Sequence, residues 1–392
     1  MASPSFKLFK RFTINIEEKQ SPVLNLLMTI VRICMVMAVL YCFFISIGLM
    51  GSGFKIFGKD FAKTLIETTN NPFVGLFIGI LATAVIQSSS TTTSMVVAFV
   101  ASGTITVQNA IPVIMGANVG TAVTSAIVAL GHMTRKQEFE RAFAAATVHD
   151  MFNIMTVAIF LPIELYTGFL HKAASKLCIF LSGTSGVEFQ SPLKLITKPV
   201  VKFITSQLSS ISSSQLISAI IVVVVGISLL FFSLYLFTKL LKLFVLTKFQ
   251  NLLEASLYKS GYLAMLVGLV FTAVVQSSSI TTSLMIPMAA AGIISVHQIF
   301  PVALGANVGT TVTAFLASLA TGRPEALTIA LVHLLFNMCG ILTFYPIPEL
   351  RKIPILAAQL LARKSAQNRL YALMFILIVF FFIVISSGNN EI

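Results

Sequence analysis

The sequence predicts an all-α polytopic membrane protein that consists of two repeats of inverted topology. Three observations lead to this prediction: the composition, a set of long apolar stretches, and a polar motif that occurs twice. Of the 392 residues, 57% are hydrophobic and only 10% are charged. So few charges cannot cover a water-soluble fold of this size, and we therefore expect most of the surface to face lipid.

The chain begins with a polar segment, residues 1–21, that leads into the first apolar run. A membrane-spanning helix needs roughly 20 apolar residues, and Val23 to Met50 exceeds that length with Arg32 as its one charged residue. Because this run is long enough to stay in the membrane, we expect a permanent span and no cleavable signal peptide.

Two parts of the chain repeat each other at a distance of 189 residues. Gly79 to Thr124 aligns without a gap with Gly268 to Thr313, and 25 of these 46 positions are identical. The shared motifs are QSSS at 87–90 and 276–279, GANVGT at 116–121 and 305–310 and, more loosely, VHDMFN at 148–153 with VHLLFN at 332–337. Internal repeats of this kind are typical of transporter folds.

Each copy is predicted to hold one long helix, a re-entrant hairpin broken at QSSS, and two further helices. The six full crossings are 22–50, 111–131 and 140–163 in the first copy and 211–238, 300–322 and 325–346 in the second. Because three crossings per copy is an odd number, the second copy is expected to lie upside down relative to the first. A final apolar run, Arg369 to Ile385, adds a helix outside the repeats.

The chain therefore divides into five predicted parts. These are the polar segment 1–21, repeat 1 at 22–163, an extramembrane loop at 164–210, repeat 2 at 211–346, and a basic interfacial segment with a C-terminal helix at 347–392. Within the loop, Leu165 to Leu181 could form an interfacial helix.

The chain has a net charge of +13. We interpret its Lys and Arg residues as loop residues that set the orientation in the membrane, and not as a nucleic-acid-binding surface. With the N-terminus in the cytoplasm, the predicted inner segments hold 16 Lys and Arg residues and the outer segments hold 9. The outer segments are 51–71, 164–210 and 323–324. This bias agrees with the positive-inside rule, which long loops follow only weakly.

The QSSS motif has a chemistry that suits a pair of ions. Ser and Thr compete for backbone hydrogen bonds and make poor helix interiors, so each helix is predicted to break there. Irregular chain is tolerated at membrane depth where it lines a cavity. The free N–H groups of a new helix start suit an anion, and nearby carbonyl and hydroxyl oxygens suit a hard cation such as Na⁺. Close packing alone could explain one such cluster, but two copies in register favour a binding site.

Two further features carry polar groups into apolar surroundings. The GANVGT glycines allow close helix packing, while the asparagines, Asn118 and Asn307, are costly in lipid unless paired and are interpreted as supporting the site.

Asp150 lies inside an apolar stretch beside His149. An ionisable group at that depth predicts a functional role; the alternative is a structural pair with His149 or Arg32. The histidines that recur in both copies, His149 and His333, are interpreted as structural hydrogen-bonding groups.

Other chemistries have little support in the sequence. No G-x-S-x-G, H-E-x-x-H or paired-carboxylate pattern occurs, so no enzyme activity is predicted. The four cysteines, one of them (Cys178) placed in the predicted loop, form no C-x-x-C pair and are expected to be free thiols.

The duplicated QSSS motifs, the GANVGT motifs and the run AAATVHD at 144–150 resemble the type II sodium–phosphate cotransporters. This resemblance covers roughly residues 22–350. It implies inward transport of inorganic phosphate coupled to Na⁺, with QSSS as the substrate and ion region. The match of Ala144, Ala146 and Asp150 to an Ala-x-Ala-x-x-x-Asp pattern implies electrogenic transport with one Na⁺ near Asp150.

The predicted site residues fall into two overlapping sets. The phosphate-binding set is Gln87, Ser88, Ser89, Ser90, Gln276, Ser277, Ser278, Ser279, Asn118 and Asn307. The Na⁺-binding set is Gln87, Ser90, Thr92, Thr121, Asp150, Gln276, Ser279, Thr281, Thr282 and Thr310, with Thr91 and Thr93 as neighbours. No transition metal and no organic cofactor is expected.

The predicted partners are phosphate, Na⁺ and the lipid bilayer, without nucleic acid, and assembly into a homo-oligomer is left open. The short termini and compact loops suggest a bacterial homologue, for which we expect a location in the inner, plasma membrane. The predicted loop has a single cysteine and so cannot form the disulfide of the animal members.

The main alternative to Na⁺-coupled phosphate transport is a Na⁺-coupled carrier of sulfate or a carboxylate. The alternative from another functional class is a membrane enzyme or a sensor.

Overall fold

The computed structural model describes residues 22–182, 192–257 and 259–377, and within these ranges every regular element is a helix. The all-α prediction is confirmed. In chain order the helices are α1 (Pro22–Phe57), α2 (Lys59–Thr69), α3 (Pro72–Ile86), α4 (Ser89–Ser102), α5 (Val107–Val119), α6 (Ala122–Leu130), α7 (Lys136–Thr167), α8 (Phe169–Ser182), α9 (Pro192–Ser209), α10 (Gln215–Leu257), α11 (Gly261–Val275), α12 (Ser278–Ala290), α13 (Val296–Thr321), α14 (Pro324–Phe344) and α15 (Pro348–Gln367). Residues 370–377 are also helical. The rest of the predicted C-terminal helix and the segment 1–21 lie outside the described residues.

Six segments of the described chain are long and apolar enough to cross a membrane, and they coincide with the six predicted crossings. They are Thr29–Phe57, Val107–Leu130, Lys136–Thr167, Gln215–Leu241, Val296–Thr321 and Pro324–Phe344. The pair α2 and α3 could form a seventh, bent by 102°. The inverted orientation of the two repeats stays a prediction.

Helices α1 and α10 pack against each other closely, and glycines make this possible. A Cβ atom added to Gly226 would lie 2.9 Å from Met50 Cγ, and one added to Gly53 would lie 3.1 Å from the Val223 backbone nitrogen. Small residues at a helix contact let two backbones approach in lipid, where packing replaces the hydrophobic effect as the driving force. About 40% of each of these two spans is buried, against 83% of α13, so α13 is central and the α1–α10 pair is peripheral.

The helix predicted at 111–131 is interrupted. α5 ends at Val119 and α6 begins at Ala122, whereas its counterpart α13 runs unbroken through the same GANVGT letters. Because the motif is identical in both copies, tertiary contacts must decide the difference. α6 packs against α7 and α12, which belong to different repeats.

The segment 164–210, predicted as an extramembrane loop in which Leu165 to Leu181 could form a helix, contains two helices in its described part, and the first of them, α8, largely coincides with that range. α7 ends at Thr167 because Gly168 adopts a left-handed conformation with φ of 61°, and α8 starts directly after it. The apolar face of α8, with Leu170, Ala174 and Cys178 at four-residue intervals, is buried, and α8 packs against α14. Cys178 is therefore a core residue of a helix and not a loop residue. α9 packs against α1 and α10, and residues 183–191 lie outside the described chain.

Candidate functional site

The backbone is broken in the same way at both QSSS motifs. α3 ends at Ile86 and α11 at Val275, and the glutamine that follows each, Gln87 or Gln276, has a positive φ of 59° or 60°. In the described part of the chain, no other residue except glycine has a positive φ. Such a conformation is unfavourable for a residue with a Cβ atom and often marks a functional site. The predicted break in each helix is confirmed.

Serine side chains cap the helices that start after each break. The Ser88 hydroxyl accepts a hydrogen bond from the Thr91 N–H at 3.2 Å, and the Ser277 hydroxyl accepts one from the Ile280 N–H at 3.4 Å. Each cap satisfies one of the first N–H groups of its helix. The N–H groups of the next two serines, 89–90 in α4 and 278–279 in α12, have no acceptor within their own helix. Each break therefore presents N–H donors at the positive end of a helix dipole.

The two glutamine side chains join each break to the helix that carries GANVGT. Gln87 Oε1 accepts a hydrogen bond from the Thr124 hydroxyl at 2.7 Å, and Gln276 Oε1 accepts one from the Thr313 hydroxyl at 2.6 Å. The two threonines are equivalent positions of the repeat. The amide of each glutamine also donates to a carbonyl one turn back in the helix that ends there, at Ala84 or Ala273. The glutamine is thus a structural connection that both copies share.

The two breaks lie in contact with each other. The Ser90 hydroxyl of the first copy donates to the Gln276 backbone carbonyl of the second at 3.1 Å, and the Thr313 hydroxyl lies 3.4 Å from Ser90 Oγ. All three residues are buried. A second link between the copies joins Ser125 of α6 to Thr282 of α12, with 3.1 Å between their hydroxyl oxygens. Of the predicted site residues, the fold thus brings Ser90 into contact with Gln276, while Thr282 takes part in the second link.

The asparagines of GANVGT belong to a separate buried network. Asn307 donates to Asn153 Oδ1 at 2.7 Å and to Asn337 Oδ1 at 3.0 Å, and Asn153 donates to the Asn118 carbonyl at 3.0 Å. His333 Nε2 lies 3.2 Å from Asn118 Oδ1. His149 Nε2 likewise lies 3.3 Å from Asn153 Nδ2. The interpretation of both histidines as hydrogen-bonding residues is confirmed.

This network joins the two copies at the centre of the protein, because it connects α5, α7, α13 and α14. Among the described residues, Asn118 and Asn307 make no hydrogen bond to either QSSS motif, so their predicted contact with phosphate stays a prediction. The GANVGT glycines do pack as expected: a Cβ atom at Gly116 would collide with the Leu76 carbonyl, and one at Gly305 with the Met265 carbonyl.

The threonines that end GANVGT point their hydroxyl protons into their own helix. Thr121 donates to the Asn118 carbonyl at 2.7 Å, and Thr310 donates to the Asn307 carbonyl at 2.5 Å. A hydroxyl that donates in this way keeps its oxygen lone pairs available. Thr92 and Thr282 do the same toward the Ser88 and Ser278 carbonyls. These oxygens therefore have the chemistry of cation ligands, as the sequence predicts for these threonines.

Asp150 is a buried carboxylate without a partner. Only 1% of it is exposed, and within the described residues neither of its oxygens makes a hydrogen bond or an ion pair. The alternative of a structural pair with His149 or Arg32 is therefore wrong. Its helix, α7, packs against α6, α12 and α13. An isolated carboxylate at this depth is strongly unfavourable unless a cation or a proton neutralises it.

Sequence reasoning missed several residues that complete this arrangement. Thr124 and Thr313 hold the glutamines, Ser125 contacts Thr282, and Asn153 with Asn337 completes the network. The repeat gave a signal for four of these residues. Both threonines are the last residues of the aligned segments, and both asparagines are the last residues of the VHxxFN motif. Ser125 had no such signal, since its counterpart in the second copy is Ala314.

The chain resembles known proteins along most of its length. The model of the Na⁺/Pi-cotransporter family matches residues 42–184 and 229–390. The curated relatives include sodium-dependent phosphate transport protein 2A of Ovis aries, 33% identical over 423 residues that cover 89% of this chain and 66% of that protein. They also include protein 2A of Oryctolagus cuniculus, 34% identical over 90% of this chain and 66% of the relative, and protein 2B of Homo sapiens, 32% identical over 88% and 63%.

This chain thus spans slightly less than two thirds of the length of these relatives. No solved structure matches it. The family match covers both breaks, Asp150 and the central asparagine–histidine network. The chain belongs to the Na⁺/Pi-cotransporter family.

Proposed function

We propose that this protein couples the inward movement of Na⁺ to the uptake of inorganic phosphate by alternating access, and that it acts as a carrier and not as an enzyme. The observation that carries the proposal is the contact between the two broken QSSS motifs, through Ser90 and the Gln276 carbonyl. The names of the three curated relatives given above, sodium-dependent phosphate transport proteins 2A and 2B, support this choice of substrate and ion. The proposed location is the plasma membrane, which in a bacterium is the inner membrane.

Phosphate is proposed to bind between the two breaks. The N–H groups at the starts of α4 and α12, together with the hydroxyls of Ser88, Ser90 and Ser277, provide donors for its oxygens. A helix start suits an anion because its N–H groups are unsatisfied and its dipole end is positive. Two such starts, from breaks that are in contact through Ser90 and Gln276, add their effects on one bound anion.

Na⁺ is proposed to bind beside the phosphate, at oxygens that the anion cannot use. The carbonyls that end α3 and α11 and the lone pairs of Thr121, Thr282 and Thr310 provide neutral ligands. Asp150 provides the negative charge, and its lack of any partner among the described residues supports this assignment. The second copy has Leu334 at the equivalent position, so one charged Na⁺ site is expected rather than two.

The coupling follows from charge. Moving an anion into a cell against a negative potential is unfavourable by about 2.3 kcal/mol per charge per 100 mV. Bound Na⁺ ions offset this charge and also order the breaks, so that the phosphate site forms only when cations are present. The two broken elements with α5, α6 and α13 are proposed to move as a unit against the peripheral α1–α10 pair.

Uptake of labelled phosphate into proteoliposomes tests this proposal. We expect uptake that requires an inward Na⁺ gradient and is inhibited by arsenate, which has the shape and charge of phosphate. Uptake that is indifferent to Na⁺ contradicts the coupling. Inhibition by sulfate or succinate in place of arsenate contradicts the choice of substrate while leaving the carrier mechanism in place.

A further inference from the structure

A cavity of about 230 Å³ lies between α1, α9 and the turn from α13 to α14, and four cationic side chains line it. Lys55 comes from the end of α1, Lys194 and Lys198 come from one face of α9, and Arg323 comes from the turn. All four lie in segments that are predicted to face the outside of the cell. The site between the breaks does not include any of them.

Nothing in the described chain neutralises these four charges. No Asp or Glu side chain is among the described residues that line the cavity, and none of the four cations forms an ion pair with a described acidic residue. Glu325 does not line this cavity; it lines a neighbouring one, which Arg323 also borders, and the two side chains form no ion pair. Like charges held near one another repel, and a bound anion removes this repulsion.

The packing of three separate elements holds the cations in place. Val201, on α9, is buried against α1, where it contacts Gly48. Thr197 of the same helix is also buried. These contacts leave the lysines at 194 and 198, one helical turn apart, on the side that faces the cavity. The fold therefore sets the backbone positions that bring the four cations to one cavity, where Lys194 is half-buried and the other three are exposed.

The cavity also touches the moving part of the proposed mechanism. Ala101 and Ser102, at the end of α4, line it, and α4 begins at the Ser88 break. At a rise of about 1.5 Å per residue, the cavity lies roughly 20 Å from that break. An anion held here is close to the site without occupying it.

We infer that this cavity binds a phosphate group at the outer face and raises its concentration near the entrance to the transport site. This inference rests on the proposed function, since it gives the transported anion a first binding place. Surface charge that is focused in a cleft raises association rates by about 10- to 1000-fold at low ionic strength. The cavity suits free phosphate, and the headgroup of an anionic lipid has the same chemistry.

Uptake kinetics in intact expressing cells provide the first test. In Lys194→Gln/Lys198→Gln/Arg323→Gln, we expect the apparent KM for external phosphate to rise about three- to tenfold at low ionic strength, with an unchanged maximal rate. The rise should shrink near 0.15 M salt, where the Debye length falls to about 8 Å. Lys202→Gln is the matched control, because this lysine lies on the same helix but outside the cavity. An unchanged KM at both ionic strengths overturns the inference.

A binding measurement separates this inference from the transport proposal. In phosphatidylcholine nanodiscs and Na⁺-free buffer, the wild type and Lys202→Gln should broaden the ³¹P signal of inorganic phosphate, and the triple variant should not. This result would hold even if the protein did not transport phosphate. If the free-phosphate signal is unaffected but phosphatidylglycerol is retained by the wild type and lost from the triple variant, the group bound is a lipid headgroup. If neither ligand distinguishes the variants, the site does not exist.

Discussion

The two broken motifs share a backbone but differ in their surroundings. Gln87 and Gln276 have the same left-handed conformation and equivalent threonine partners. Gln276, however, is buried and its carbonyl accepts a hydrogen bond from Ser90, whereas Gln87 is exposed. The duplication therefore preserves the geometry of the break, while the exposure and the contacts of the two copies differ.

A second difference lies in charge. Asp150 belongs to the first copy, and Leu334 stands in its place in the second. The asparagine–histidine network on either side of it is nearly symmetric, with His149 and Asn153 matched by His333 and Asn337. The lesson is that a nearly symmetric scaffold carries one asymmetric charge, and the proposed electrogenic transport depends on it.

The largest expected effect follows from removing that charge. Asp150→Asn should reduce the phosphate-evoked current by about tenfold or more, because it removes the one charged ligand proposed for Na⁺. For comparison, a coupling of 1–3 kcal/mol between two bound ligands changes affinity roughly 5- to 150-fold. Some electroneutral phosphate uptake should remain. Two-electrode recording together with tracer uptake measures both quantities.

The matched control is Asp60→Asn, which removes an exposed acid from α2 and should leave the current intact. A full current in Asp150→Asn would remove this residue from the ion site and with it the proposed asymmetry of charge.

The next effect tests whether the two copies pack alike. Gly116→Ala and Gly305→Ala should each lower the thermal stability of the protein, because the new methyl group collides with a carbonyl of the neighbouring helix. Overpacking of this kind costs typically about 1–3 kcal/mol. Gly51→Ala is the control, since a Cβ atom there meets no atom within 4 Å. Unfolding followed by fluorescence-detected size-exclusion chromatography compares them; equal stability of all three variants would contradict the close contact.

A smaller and unequal effect is expected at the glutamines. Glycine adopts positive φ without strain, so Gln87→Gly and Gln276→Gly remove the side chain while keeping the backbone of the break. Because Gln276 is buried at the contact between the copies, its variant should lose more phosphate uptake, by about tenfold against two- to threefold for Gln87→Gly. Initial uptake rates at equal surface expression measure the ratio. Equal losses would show that the exposure difference has no functional meaning.

The smallest effect concerns one hydroxyl pair. In the second copy, Thr272 and Thr281 lie with 2.6 Å between their hydroxyl oxygens, whereas the first-copy equivalent of Thr272, Thr83, has a hydroxyl without a partner among the described residues. Thr281→Val should therefore destabilise the protein by about 1 kcal/mol, and Thr92→Val should destabilise it less. A thermal shift of the same size in both would contradict this difference.

Much of the fold and part of the site follow from local sequence. Apolar length predicted the six crossings, and the duplicated QSSS predicted both breaks, because Ser and Thr disfavour helix interiors wherever they occur in runs. The helix considered at Leu165 to Leu181 largely coincides with α8. The interruption at Gly120 and Thr121 and the helix α9 did not follow. They depend on which helices pack together, and Gly120 shares its motif with an unbroken helix. The burial of Asn118 and Asn307 was predictable from the sequence, whereas their hydrogen-bond partners, Asn153, Asn337 and His333, were not.

The central claim is that phosphate and Na⁺ bind between the two QSSS breaks. A structure determined by electron cryomicroscopy in the presence of Na⁺ and phosphate tests it most directly. We predict density for the anion within hydrogen-bond distance of the N–H groups at the starts of both α4 and α12, with a cation near Asp150. Anion density confined to the outer basic cavity, or unbroken helices through Gln87 and Gln276, would contradict the account.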